Sequence, residues 1–195
     1  KYESKIIADT DSLIVAEKVA NITECDAYKD GLFYVQDSAA AYTAMILNPQ
    51  PGSTVLDMCA SPGGKTTHMA EIMNNTGKIF AFDVSEKKIE KISQNAQRLG
   101  IDIIEPQVMD SSVYNPEFDG IADYILVDAP CSGLGIVRKK PDIKYKPISS
   151  IEGLPAVQYD ILCGAATDAG ESIALAVGVG HGHVGEPGGE DGSLL

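Results

Sequence analysis

Four short apolar runs in this chain each end on or just before an aspartate, and that repeat limits the folds open to it. They are Thr54-Val-Leu-Asp57, Lys78-Ile-Phe-Ala-Phe-Asp83, a run from about Ile103 to Val108 followed by Met109-Asp110, and Tyr124-Ile-Leu-Val-Asp128. Helical patterns separate them. Asp37 to Leu47 reads as a helix capped by Asp37, and about Lys65 to Met73 as a second. Glu86 to Leu99 carries Ile89, Ile92, Ala96 and Leu99 on one stripe and stops at Gly100. Ser150 to Ala166 reads as another helix, broken early by Pro155, and Ser12 to Ala16 as a strand. Strands alternating with helices predict an α/β, doubly wound, mostly parallel sheet. Ligands of such sheets sit beyond the carboxyl ends of the strands. One aspartate there is usually a turn or cap residue; four at successive strand ends mark a binding rim.

The first run leads into Cys59-Ala-Ser-Pro-Gly-Gly-Lys65, a strand, a Gly/Pro turn and then a helix. Gly63 and Gly64 lack the Cβ atoms that would keep a cofactor from the backbone N–H groups and the helix N-terminus. A phosphate-binding P-loop needs glycine at position 59, where Cys59 stands, and the dinucleotide fingerprint needs three spaced glycines where this turn has two adjacent ones. An adenosyl cofactor without a polyphosphate fits better than either. Asp83 stands about twenty residues beyond the glycines, where a carboxylate takes ribose hydroxyls.

The fourth run continues as Asp128-Ala-Pro-Cys-Ser-Gly133. Pro130 fixes φ and turns the chain off the strand, which holds Cys131 in a set direction. A buried structural cysteine in a turn is the competing reading. Five of the 15 basic residues (Arg138, Lys139, Lys140, Lys144 and Lys146) crowd together just after it. Beside an active site they are suited to nucleic-acid phosphates; otherwise they are a solvated loop. The net charge of −13 is unevenly spread, because residues 147–195 hold seven acids and no Lys or Arg.

The two turn motifs together resemble the Sun/Fmu-type (Nol/Nop/Sun) RNA cytosine-5 methyltransferases. The resemblance runs from about Gly31 to Ala166. It takes in Gly31-Leu-Phe-Tyr-Val-Gln-Asp37, similar to the family's lead-in helix, and Lys139-Lys-Pro-Asp-Ile143. It implies a Rossmann-like catalytic domain that binds S-adenosyl-L-methionine and methylates C5 of cytosine in RNA, most often ribosomal. Cys59, Ala60, Ser61, Pro62, Gly63, Gly64 and Lys65 are expected around the methionine part, Asp83 at the ribose, Asp110 at the adenine edge and Asp128 between cofactor and base. In the family a thiolate adds to C6 of the base, and the enamine so formed attacks the cofactor's methyl group. That thiol belongs to a Thr-Cys segment on a later strand, expected here near residue 180. The Pro-Cys cysteine, Cys131, is implied to assist proton removal or release. No cysteine follows Cys163, and glycine and valine stand near position 180.

The expected organisation is a catalytic domain over residues 1–167, with 1–48 as its lead-in, and an atypical tail over 168–195. From Ala169 onward there are eight glycines and no Lys, Arg or aromatic residue, a composition expected to be disordered. On that reading the final sheet strands are missing or altered, and the exposed edge invites dimerisation. His181 and His183 in the glycine tail make too weak a ligand pair for a metal, and none is expected. Three functions follow: a methyltransferase domain of doubtful activity, a non-catalytic cofactor- and RNA-binding module or truncated product with a foreign tail, or an enzyme using Cys131 itself as nucleophile. The start at Lys1-Tyr-Glu, without Met, reads as a fragment whose RNA-binding extension lies elsewhere. Cys25, Cys59, Cys131 and Cys163 form no C-x-x-C pair, and no leader or membrane span is visible. A cytoplasmic protein is expected.

Overall fold

The computed structural model describes residues 5–9, 14–17, 21–134, 141–147, 149 and 151–177. They fall into two units, one up to Tyr34 and one from Val35. In the first, β1 (Lys5–Asp9) pairs antiparallel with β2 (Ile14–Glu17), and a short α1 (Asp26–Lys29) follows. Tyr28 meets Phe33 edge-on at 5.7 Å between ring centroids.

The second unit begins with α2 (Ser38–Leu47). The expected lead-in helix over Gly31–Asp37 is not formed. Gly31 sits at φ +74°, and Asp37 is extended at φ −71°, ψ 141°. The Asp37 carboxylate accepts from the Ala39 amide at 3.0 Å, so the helix starts only at Ser38. Then come β3 (Thr54–Asp57), α3 (Gly64–Ile72), β4 (Lys78–Asp83), α4 (Glu86–Arg98), β5 (Ile104–Val108), β6 (Ala122–Val127), α5 (Leu154–Asp168) and β7 (Ala169–Val177). The strands form one sheet in the order β5-β4-β3-β6-β7, every neighbouring pair parallel.

Two expectations fail here for local reasons. Pro155 does not break a helix; it occupies the first turn of α5, where its missing N–H costs nothing. Residues 169–177 are not disordered but pair as β7 along β6, from Ala122↔Ala169 to Val127↔Val177. Only one of the tail's eight glycines, Gly170, falls in that stretch. The remainder, Glu171-Ser-Ile-Ala-Leu-Ala-Val177, suits a strand. β7 covers the β6 edge and is itself the outer strand on that side among the described residues, so the edge from which dimerisation was expected moves one strand outward. The rest of the tail, including His181 and His183, lies outside the described residues.

The sheet separates two apolar clusters. One joins Val55, Ile79 and Leu126 to Met69, Met73 and Ile92. The other joins Leu56, Phe82, Ile125 and Val127 to Phe118 and Ile161. Phe118 stands edge-on to Phe80 and Phe82, at 5.1 and 4.8 Å. Among the described residues, no helix is long and apolar enough to cross a membrane.

Candidate functional site

Chain order runs outward from β3 through β4 to β5, then returns to place β6 on the other side of β3. The β3–β6 boundary is therefore the topological switch point, where the connections leave in opposite directions and open a crevice. A cleft lies there, lined by Asp57, Asp128 and the turn residues Cys59, Ala60, Ser61, Pro62, Gly64 and Lys65. Val35, Gln36, Asp37 and Ala40 complete its wall.

The turn is fastened from both sides. Met58 N–H donates to the Leu126 carbonyl at 2.9 Å, Ala60 N–H to Phe82 at 2.8 Å, and Gly63 N–H to Ala60 at 2.7 Å. Asn95 reaches from α4 to the Pro62 carbonyl at 3.3 Å. Gly63 adopts φ +102°, a left-handed conformation for which glycine is suited, and caps α3. Gly63 is buried against Ile92, and the wall of the cleft is formed by its neighbours.

Asp57 is 1% exposed. Thr66 Oγ1 donates to its Oδ2 at 2.8 Å, and the Cys59 backbone N–H also bonds this carboxylate. Burial, opposed by the Thr66 hydrogen bond and the Lys65 charge, raises this carboxyl to about 7. Lys65 is ion-paired with Asp128 across the cleft. Burial first, and then the charges of Asp57, Asp83 and Asp128, push the Cys59 thiol up to about 12, so it stays protonated and unreactive.

Asp83 and Asp110 stand at the ends of β4 and β5 but do not line this cleft. Asp83 is buried, accepts from Ser85 N–H at 3.1 Å and lies 3.4 Å from Lys88 Nζ. Asp110 is exposed, and Ser112 donates to its Oδ1 from both Oγ (2.6 Å) and N (3.0 Å). Those hydrogen bonds hold the Asp110 carboxyl below its ordinary value.

Cys131 is half-buried on the loop after Pro130. The Pro130 carbonyl accepts from Gln158 Nε2 of α5 at 2.7 Å. A Cβ on Gly133, at φ +71°, would meet Ile143 at 3.2 Å, so the loop lies against the 3-10 turn Pro141–Tyr145. Of the phosphate candidates, Lys144 lies on that turn with Nζ 4.8 Å from the Tyr145 ring centroid. Arg138, Lys139 and Lys140 lie outside the described residues.

Sequence reasoning assigned no role to Gln36 and none to Asp57 beyond membership of the acidic rim. For Asp57 the signal was its place in front of the turn. Gln36 had none, because the irregular path of residues 31–37 brings it to the cleft.

Known proteins resemble this chain in sequence and in fold. Residues 44–169 match the family model described as 16S rRNA methyltransferase RsmB/F. A probable ribosomal RNA small subunit methyltransferase B of Bacillus subtilis (strain 168) is 42% identical over 138 residues, covering 69% of this chain and 31% of its own length. A tRNA (cytosine(72)-C(5))-methyltransferase of Pyrococcus horikoshii is 39% identical over 122 residues, covering 63% of this chain and 31% of its own length. The crystal structure of NSun6 from Pyrococcus horikoshii with SFG superposes with a TM-score of 0.69 at 28% identity, over 84% of this chain and 44% of that one. The chain thus spans about a third of the length of the curated relatives it matches.

Proposed function

This chain belongs to the 16S rRNA methyltransferase RsmB/F family, and we propose on that premise that it binds S-adenosyl-L-methionine and cytosine-bearing RNA, ribosomal RNA above all. The observation that carries the reading is the switch-point cleft with the buried carboxyl of Asp57 at its floor. A sulfonium amino acid is cationic, and a buried carboxyl whose charge is disfavoured by desolvation gains by meeting it. The Pyrococcus relative crystallised with SFG, a cofactor analogue, supports the same assignment.

When bound, the cofactor supplies an electrophilic methyl group. Around it, the turn from Cys59 to Lys65 presents backbone N–H groups and the N-terminus of α3. Asp83 is assigned to the ribose and Asp110 to the adenine edge. Asp128, its charge balanced by Lys65, borders the space for the base. Cys131, steadied through Pro130 by Gln158, faces proton removal or release rather than first attack. Arg138, Lys139, Lys140 and Lys144 are assigned to RNA phosphates, in a cytoplasm where reduced thiols and RNA are both present.

A specific observation favours a binding role without efficient turnover. The last β6–β7 pair is Val127↔Val177, so a thiol partner for Cys131 would have to come from the residues just after Val177. Those residues are Gly178-Val-Gly-His-Gly-His, with no cysteine among them. Methyl transfer is accordingly proposed to be slow or absent. Calorimetry with S-adenosylmethionine and S-adenosylhomocysteine tests the cofactor reading, and absence of heat and of a thermal shift with both defeats it. Retention of labelled ribosomal RNA on a filter, lost with added salt, tests the RNA reading.

A further inference from the structure

The 3-10 turn Pro141–Tyr145 meets the loop that carries Cys131 through Ile143. Ile143 is buried, and a Cβ on Gly133, two residues after Cys131, would stand 3.2 Å from it. The Lys146 N–H donates to the Ile143 carbonyl at 3.1 Å and closes the turn. Two residues beyond Ile143, ~4 Å of 3-10 rise, stands Tyr145. At 75% exposure it is the most exposed aromatic residue among those described. Lys144 Nζ lies over its ring, 4.8 Å from the centroid. A solitary exposed ring is ordinary on a protein surface. This one sits on a turn packed against the cysteine loop, with a cation over its ring and most of its surface in water. The sequence around it has the charge that meets a polyanion: residues 138–146 hold five Lys and Arg and one acid, Asp142, in a chain of net charge −13.

We propose that Tyr145 stacks on an unpaired RNA base next to the cytosine presented at Cys131, with Lys144 bracing the ring and lending its charge to the backbone beside it. The inference rests on the RNA reading above and deepens it by giving the substrate a form, a single-stranded segment rather than a duplex. A base inside a helix shows side chains its edges; only an unpaired one offers its face to a ring. A phenol ring takes any base, so Tyr145 selects for strandedness and leaves the choice of sequence to other groups.

Two probes separate the parts: a short unpaired ribo-oligomer whose single cytosine is flanked by the fluorescent base 2-aminopurine, and the same strand annealed to its complement. Binding to the full chain is measured by anisotropy, with thermal melting as the check on folding, and 2-aminopurine emission is read at saturation. Tyr145→Leu should weaken the unpaired oligomer by ~5–100-fold, the value of one stacked base, and change the duplex by less than about twofold. Tyr145→Phe keeps a ring and should hold the oligomer's affinity to within about twofold of the parent's. The unaltered chain should quench the 2-aminopurine, and Tyr145→Leu should restore its emission. Equal losses on oligomer and duplex, an unchanged affinity for the oligomer, or a quench that survives Tyr145→Leu overturn the proposal. Absence of binding by either RNA to the unaltered chain overturns the RNA reading itself, and this inference with it.

Discussion

The carboxyl rim of the sheet has two halves, built by different means. At the ends of β3, β4 and β5, main chain ties to main chain: Met58 to Leu126, Ala60 to Phe82, Met109 N–H to the Asp83 carbonyl at 3.0 Å. A buried hydroxyl, Ser111 Oγ, adds a 2.7 Å bond to the Met58 carbonyl. Beyond β6, single side chains take part among the described residues: Lys65 pairs with Asp128, and Gln158 donates to the Pro130 carbonyl beside Cys131. Backbone ties survive most substitutions, whereas side-chain ties are lost with one. On the assignment proposed above, the contrast predicts a durable cofactor half and a fragile base half.

The strongest break between the halves is expected in turnover. Offered labelled S-adenosylmethionine and ribosomal RNA, the chain should bind the cofactor and yet transfer methyl groups at background rate, before and after Cys131→Ala. Loss of one member of a cooperating catalytic set costs on the order of 10⁴–10⁶ in rate. Robust turnover abolished by Cys131→Ala would erase the contrast and make Cys131 the nucleophile. Next in size, Asp83→Ala should weaken S-adenosylhomocysteine by ~10–100-fold in calorimetry, because it deletes a charge-assisted hydrogen-bonding group. Unchanged affinity would take the ribose role from Asp83.

A smaller effect concerns stability against pH. Folding raises the Asp57 carboxyl from 3.8 to about 7, mainly by burial. Burial, and then the Asp119 charge, raise Asp168 to about 6. The folded state therefore holds these protons more tightly than the unfolded chain. Below about pH 4 both states are protonated; between that point and the raised values stability falls as pH rises, and above them the loss is complete. Asp57→Asn should raise the melting midpoint at pH 8 by roughly 3 °C or more and leave it near the parent's at pH 4. A parallel shift at both values would point to packing instead of charge. The smallest effect should come from Gln158→Ala, which costs about 1 kcal/mol and speeds alkylation of Cys131 severalfold without altering cofactor affinity. A cofactor affinity that fell with it would show the two halves to be coupled.

Most of the sheet was legible in the sequence, because each apolar run between a turn and an aspartate has the length of one strand. Lys78 to Asp83 coincides with β4, and the stripe of Glu86 to Leu99 with α4 to within a residue. The misreadings came from averaging. Glycines after Val177 masked the strand before them, and Pro155 was read as a breaker where the helix was starting. The turn motif named most of the cleft, since its residues are contiguous. Gln36 was not legible, because its place depends on a non-repetitive path that no periodicity encodes.

The strand order also sets a timetable for the growing chain. Thr54 pairs with Lys78 and Ile79 with Ile104, so β3, β4 and β5 find one another across loops of about 25 residues. Val55 must wait for Tyr124. As the chain is synthesised from its N-terminus, β3, β4 and β5 emerge first, and β6 closes against a surface already in place. Until then the central flank of β3 is an open template for any passing strand.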